Sequence, residues 1–268
     1  MSEHKNTLTD GNVGKALLII ALPIIISNML QSVLEVVDMH FIGELGDTSI
    51  AGGTLSVSVI MVLTTVLMGI VTATAAFVSR AYGSEKYERI QVVLAHAIYL
   101  GLIFSALLAV IGFFWSEEIL FFMSQGDAAL AAEGAKFLRP ALIGSFIMML
   151  LMTLTTVFQS TGDSRTPMFV MVGVNIVNII LNPTLIQGLW IFPAMGLAGS
   201  AYASLSSRAV GVILLILCMY YLPKHKNGPI KSPQKFSNET RLVRDILVIA
   251  ITSAVQRGLR SFGTDLII

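Results

Sequence analysis

The chain has 268 residues, 55% of them hydrophobic and only 12% charged, with a net charge of +1 and a mean hydropathy of +0.81. Soluble domains carry about 25% charged residues, so this sequence lacks a polar coat for water and must be solvated by lipid. The near-zero net charge excludes a bulk basic field for nucleic acid, and the lone Cys218 excludes an internal disulfide.

In chain order, residues 1–14 are polar and mixed in charge and read as a cytosolic tail. A spanning helix needs about 20 largely apolar residues. Seven stretches qualify, near 16–42, 53–79, 91–115, 138–161, 167–189, 198–222 and 243–268. Residues 50–79 contain no charge, and neither do 166–207, which are long enough for two spans and are broken by Gly188, Pro193 and Gly196. Residues 223–242 are polar, basic and punctuated by Pro and Gly, which predicts a cytosolic linker between two lobes. The predicted fold class is therefore all-α, a polytopic membrane helix bundle: a six-helix N-lobe over 15–222 and the first helix of a second lobe over 243–268. The last residues, Leu266, Ile267 and Ile268, are apolar with no polar tail, so we expect a truncated chain or partial gene product. Aligning Asp265 with Asp38 sets residues 244–250 against 17–23, apolar on apolar, as an internal repeat would require.

Lys and Arg accumulate on the cytosolic side of membrane proteins. With the N-terminus inside, Lys5, Lys15, Arg80, Lys86, Arg89, Arg165 and the basic residues between Lys224 and Arg244 all fall inside, and only Lys136 and Arg139 fall outside. This predicts a multi-pass protein of a prokaryotic cytoplasmic (inner) membrane with its N-terminus in the cytosol.

Polar groups within spans are costly in lipid and mark sites by default. The first span carries Asn28, Gln31, Glu35 and Asp38. At about 100° per residue they share an arc of roughly 80°, as on a helix facing a hydrated cavity. The fifth span carries Asn175, Asn178 and Asn182, with Pro183 directly after. Asn178 and Asn182 are four residues apart and share a face, and Pro183 frees a carbonyl in the preceding turn. Broken helices with amide side chains are one way transporters build polar sites at membrane depth. Arg208, Arg257 and Arg260 also fall within spans and need partners or water. Met148, Met149 and Met152 would give either a pliable cavity wall or ordinary packing. His40 and His96 have no metal-ligand spacing. Without a phosphate-cradling GxxxxGK[ST], an HExxH or a nucleophile constellation, the chain is not expected to be an enzyme.

Five patterns occur in order: ALP at 21–23, VVDMHFIGELG at 36–46, FQSTGDSRTP at 158–167, NIVNIILNPTLI at 175–186 and GLAGSAYASLSS at 196–207. Together they resemble the multidrug and toxic compound extrusion (MATE) family, of the archaeal and DinF-like type. The resemblance implies a twelve-helix transporter in two six-helix lobes, of which this chain would supply the first lobe and one further helix. It implies a cation-coupled antiporter, driven by H+ or Na+ and without an organic cofactor, that exports small organic compounds such as drugs or toxic metabolites. The coupling acid of the first span matches Asp38. Its fifth-span partners match Asn178 and Asn182, where an amide replaces the family's second acid, and its sixth-span hydroxyl matches Ser204. Glu35 is a further coupling candidate. Asn28, Gln31, Asn175 and Arg208 are expected to line the cavity, and Pro23, Pro183, Gly196 and Gly199 to act as hinges. The partners are then the lipid bilayer, small organic substrates, and the missing C-lobe or a second copy to close the cavity. Two other readings remain open from sequence: a flippase for a lipid-linked precursor, for which the three arginines would hold a pyrophosphate, and a non-transporting membrane receptor or assembly factor.

Overall fold

In the computed structural model the described residues are 13–221 and 240–265. They form α1 (Val13–Gly43), α2 (Asp47–Gly83), α3 (Tyr87–Met123), α4 (Ala128–Ile143), α5 (Ser145–Ser160), α6 (Arg165–Ile186), α7 (Leu197–Tyr221) and α8 (Thr240–Asp265). Most of the predicted tail and of the predicted linker lies outside them. Helices dominate because lipid offers no partner for a backbone amide, so each span must bond within itself. Five helices are long and apolar enough to cross a bilayer: α1 from Ala21, α2, α3, α6 and α7.

The other two predicted spans differ from expectation. The fourth, placed at 138–161, is two helices that begin at Ala128 and meet at Gly144 with a bend of 50°. Counted together they make a sixth span. Asp127 caps the first of them by accepting from the Leu130 amide at 3.0 Å. Pro140, which has no amide to give, weakens the ladder one turn before Gly144, so the rod breaks there. The seventh predicted stretch does form a helix, α8, but among the described residues it is not one of those apolar enough to cross alone. Arg241, Arg244 and Asp245 sit in its opening turns. It lies instead against α2 so closely that a Cβ on Gly69 would stand 2.3 Å from the Ala250 carbonyl oxygen.

Lipid tails are as apolar as Leu, so helices gain little from burying Leu against Leu and associate through close packing and polar contacts. Between α2 and α4 the backbones of Gly52 and Gly134 nearly touch, and Ser56 Oγ donates across the seam to the Gly134 carbonyl at 2.9 Å. The larger buried cluster joins Leu34 of α1 to Leu67 and Ile70 of α2, Val93 of α3, Phe158 of α5, Val174 of α6 and Leu215 of α7. Leu22, Met29, Val33 and Val36 of α1 lie on the exposed surface. That core fixes α1 against α6 and α7, where the polar residues meet.

Candidate functional site

The connection between α6 and α7 sets the geometry. Past the end of α6, the Met195 amide donates to the Leu185 carbonyl at 2.9 Å and the Gly196 amide to the Ile186 carbonyl at 3.1 Å, so the loop folds back and satisfies the helix's last acceptors. Gly196 takes a left-handed φ of +54° there. Gly199 then passes so near α6 that a Cβ would lie 2.5 Å from the Leu185 carbonyl oxygen. This close approach aligns Asn178 and Asn182 with Ser204 on the facing helix.

Asp38 of α1 enters that seam. Its Oδ1 accepts from Asn178 Nδ2 at 3.0 Å and from Asn182 Nδ2 at 2.8 Å, and its Oδ2 accepts from the Ser204 hydroxyl. Asn182 also donates to Asn178 Oδ1 at 2.9 Å, and Asn178 reaches Ser204 Oγ at 3.3 Å. Asp38 is 8% exposed, Ser204 3%, and Asn178 and Asn182 are at 0%. A carboxylate out of water needs such donors to stay charged. One acceptor of the cluster is left over, since Asn182 Oδ1 has no hydrogen-bond partner. Three buried side chains from α6 and α7 thus surround one acid from α1 with an idle carbonyl oxygen beside it, an arrangement able to take up one positive charge.

The predicted polar stripe of α1 divides. Asp38 joins the cluster, but Glu35 is exposed and makes none of the cluster's hydrogen bonds. Asn28 and Gln31 border a cavity of about 160 Å³ together with Ser27, Thr155, Thr156, Gln159 and Arg208. Met148 and Met152 also line it, whereas Met149 is buried and packs on Gly101. Asn175 was expected to line the cavity and does not. It is 5% exposed and donates back to the Met171 carbonyl one turn earlier at 2.9 Å, sharing that helix acceptor as short polar side chains do in a helix interior. Sequence reasoning passed over Thr155, Thr156 and Gln159, though uncharged polar residues clustered in an apolar span were the signal available.

The predicted hinges also separate. Pro23 lies inside α1, where Ser27 Oγ caps its carbonyl at 2.8 Å. Pro183 lies in the last turn of α6, and Gly196 belongs to the loop before α7. Gly199 stands at a point of tight packing rather than at a free bend, and the sharp break in this region is at Gly144. Among the described residues no group of three or more His, Cys, Asp or Glu could hold a metal ion. The side chains of Arg257 and Arg260 lie outside the described residues.

The MatE family model matches residues 23–184 of this chain, more than half of it. The probable multidrug resistance protein YoeA of Bacillus subtilis is 28% identical over 245 residues, which are 91% of this chain and 52% of YoeA. The multidrug resistance protein NorM of Burkholderia vietnamiensis is 31% identical over 245 residues, 90% of this chain and 52% of NorM. A crystal structure of a MATE in the straight conformation superposes with a TM-score of 0.81 at 23% identity over 98% of this chain and 57% of that one, a likeness of fold. The chain spans about half the length of the curated relatives it matches. The family match runs from α1 into α6, the helices that carry Asp38, Asn178 and Asn182, and the chain belongs to the MATE family of membrane transporters.

Proposed function

We propose that this chain is the ion-coupled lobe of an exporter of small organic compounds, and that H+ or Na+ enters at Asp38 in exchange for substrate. The supporting observation is the Asp38 cluster itself: one buried carboxylate, three donors and an idle carbonyl. Asn182 cannot release a proton, so the charge change falls on Asp38 alone. The ionised acid on α1 needs Asn178 and Asn182 of α6 and Ser204 of α7 held close to it. A proton or a sodium ion makes the cluster electrically neutral and relaxes that demand, while the oxygens of Asn178, Asn182 and Ser204 are placed to face the cation. Cation uptake thereby changes the relative stability of two packings of α1 against α6 and α7, which is all that coupling requires.

The lobe lies with its N-terminus in the cytosol, an orientation favoured by its basic residues. The cavity bordered by Asn28, Gln31 and Arg208 receives the substrate, and further helices, from a second lobe or a second copy, close it. The relatives' names as multidrug resistance proteins support drugs and toxic metabolites as the substrate class. The test is dye efflux in a pump-deficient bacterium. It compares this chain alone, the chain joined to the second half that its relatives possess, and the joined form with Asp38→Asn. Export by the joined form that disappears with Asp38→Asn supports the reading. Export that keeps its full dependence on the proton or sodium gradient after Asp38→Asn sinks it.

A further inference from the structure

Arg208 is the one charged side chain among those that border the cavity, and the only charged residue of α7. It is half-buried, and among the described residues its guanidinium makes no hydrogen bond and no ion pair. The polar side chains around it are idle as well: Asn28, Gln31, Thr155, Thr156 and Gln159 form no side-chain hydrogen bond among the described residues. Elsewhere in the spans a hydroxyl is usually spent on the carbonyl one turn back, as those of Ser27, Thr74 and Thr184 are at 2.8, 2.8 and 2.7 Å. Six side chains from α1, α5 and α7 therefore keep their hydrogen-bonding groups for whatever fills the cavity.

Amides and hydroxyls both donate and accept, so five of the six serve a ligand of either sign; a guanidinium only donates, in a planar fork that matches a carboxylate or phosphate. Arg208 thus decides the sign. The acids whose charges reach it are Asp38 and Glu35, but Asp38 is buried among its own three donors, Glu35 is exposed, and neither borders the cavity. Residues 48–79 of α2, 166–186 of α6 and all of α5 carry no charge. We propose that the wall this lobe presents is an anion subsite, in which Arg208 receives the carboxylate or phosphate of a small organic anion. The flanking amides and hydroxyls take its remaining oxygens, and Met148 and Met152 meet its apolar part. The volume of about 160 Å³ equals about five waters at about 30 Å³ each, which is room for the charged group with the rest of the molecule extending beyond. As a substrate class this rests on the reading that the cavity receives the substrate; as a binding preference it needs no ion at Asp38.

The test is fluorescence titration of the whole chain in zwitterionic lipid nanodiscs with two dyes that share a fluorophore: dansylglycine, a carboxylate anion, and dansylcadaverine, an ammonium cation. The parent is expected to bind dansylglycine about tenfold more tightly or better, the scale of one hydrogen bond to a charged group. Arg208→Gln should erase that preference while binding dansylcadaverine at least as well as the parent, which also reports an intact cavity. Arg208→Lys keeps the charge without the fork and should still favour the anion. A parent that favours the cation or binds neither dye overturns the proposal, and so does an Arg208→Gln chain that keeps the anion preference or an Arg208→Lys chain that loses it. Competitors separate the sources of the anion: phenyl phosphate in solution displaces dansylglycine from a site open to water, and phosphatidylglycerol in the disc displaces it from one reached by a lipid headgroup. Displacement by neither overturns the anion site. Efflux by the joined form keeps the two readings apart: export that ignores Arg208→Gln sinks the cavity's transport role and leaves the binding preference standing.

Discussion

Replacing Gly199 with Ala separates a packing role from a bending one. The new Cβ would stand 2.5 Å from the Leu185 carbonyl oxygen, 2.6 Å from its carbonyl carbon and 2.8 Å from the Ile186 nitrogen. Ordinary contact begins at 3.4 Å, so α7 must retreat from α6 by about 0.9 Å, the difference between 3.4 and 2.5. All three obstacles are backbone atoms, which cannot rotate aside. Overpacking of this kind costs about 1–3 kcal/mol. The retreat also carries Ser204 away from Asn178, now 3.3 Å from it, and beyond hydrogen-bond range. If Ser204 also loses Asp38, a hydrogen bond to a charged group goes, worth about 1.5–3 kcal/mol. Reversible unfolding in mixed detergent micelles measures the loss. Gly43→Ala is the control, since nothing lies within 4 Å of a Cβ there, and its effect should stay within about 0.5 kcal/mol. A Gly199→Ala protein as stable as Gly43→Ala, yet impaired in export, would refute the packing argument and restore Gly199 as a hinge.

Ser204→Ala removes the hydroxyl that donates to Asp38 Oδ2 and should lower stability by about 1.5–3 kcal/mol, while Ser204→Thr keeps the donor and most of the stability; equal unfolding curves for Ala and parent would count against the cluster. Glu35→Gln should leave both the unfolding midpoint and the cation dependence of efflux unchanged, because Glu35 is exposed and outside the cluster; loss of cation dependence would make Glu35 a second coupling acid. Gly101→Ala would place a Cβ 1.9 Å from the Met149 methyl and 2.3 Å from its sulfur; Met149 is buried and its thioether must repack, so the cost should be about 1–3 kcal/mol by the same unfolding assay.

The residues of the cluster were legible in the sequence because lipid makes each polar side chain in a span conspicuous. Asn178 and Asn182 share a face by spacing alone, but Asp38 lies 140 residues from Asn178 and Ser204 another 26 beyond it. No local pattern joins such positions, and the family resemblance supplied the link. The stripe on α1 was read as one face, yet its arc of roughly 80° crosses the edge of the α6–α7 contact. Asp38 falls inside that edge, Asn28 and Gln31 border the cavity, and Glu35 falls outside. The division depends on helix packing, which periodicity does not encode. The bend at Gly144 was hidden for a different reason: mean hydropathy is blind to direction, although Pro140 and Gly144 were both within reach of the predicted span. The opening turns of α8 read as membrane by length, but Arg241, Arg244 and Asp245 dilute its apolar run.

Asn182 sets the charge arithmetic of the cluster. The resemblance expects an acid at this position, which would put two carboxylates in one buried seam and force them to share positive charge. With an amide there, the seam holds a single negative charge, and its three donors already satisfy that charge's hydrogen bonds. Under the proposed coupling, neutrality then takes one cation per cycle at this lobe, not two. The same substitution explains the idle carbonyl: Asn182 spends its amide nitrogen on Asp38 and Asn178, and its oxygen faces no donor. An unmatched acceptor in a buried site is a cost that a bound cation would remove, so under the proposed coupling the Asn182 oxygen favours cation uptake. All of these groups lie on α1, α6 and α7, so the one-cation arithmetic that follows from the proposed coupling involves residues of this lobe alone.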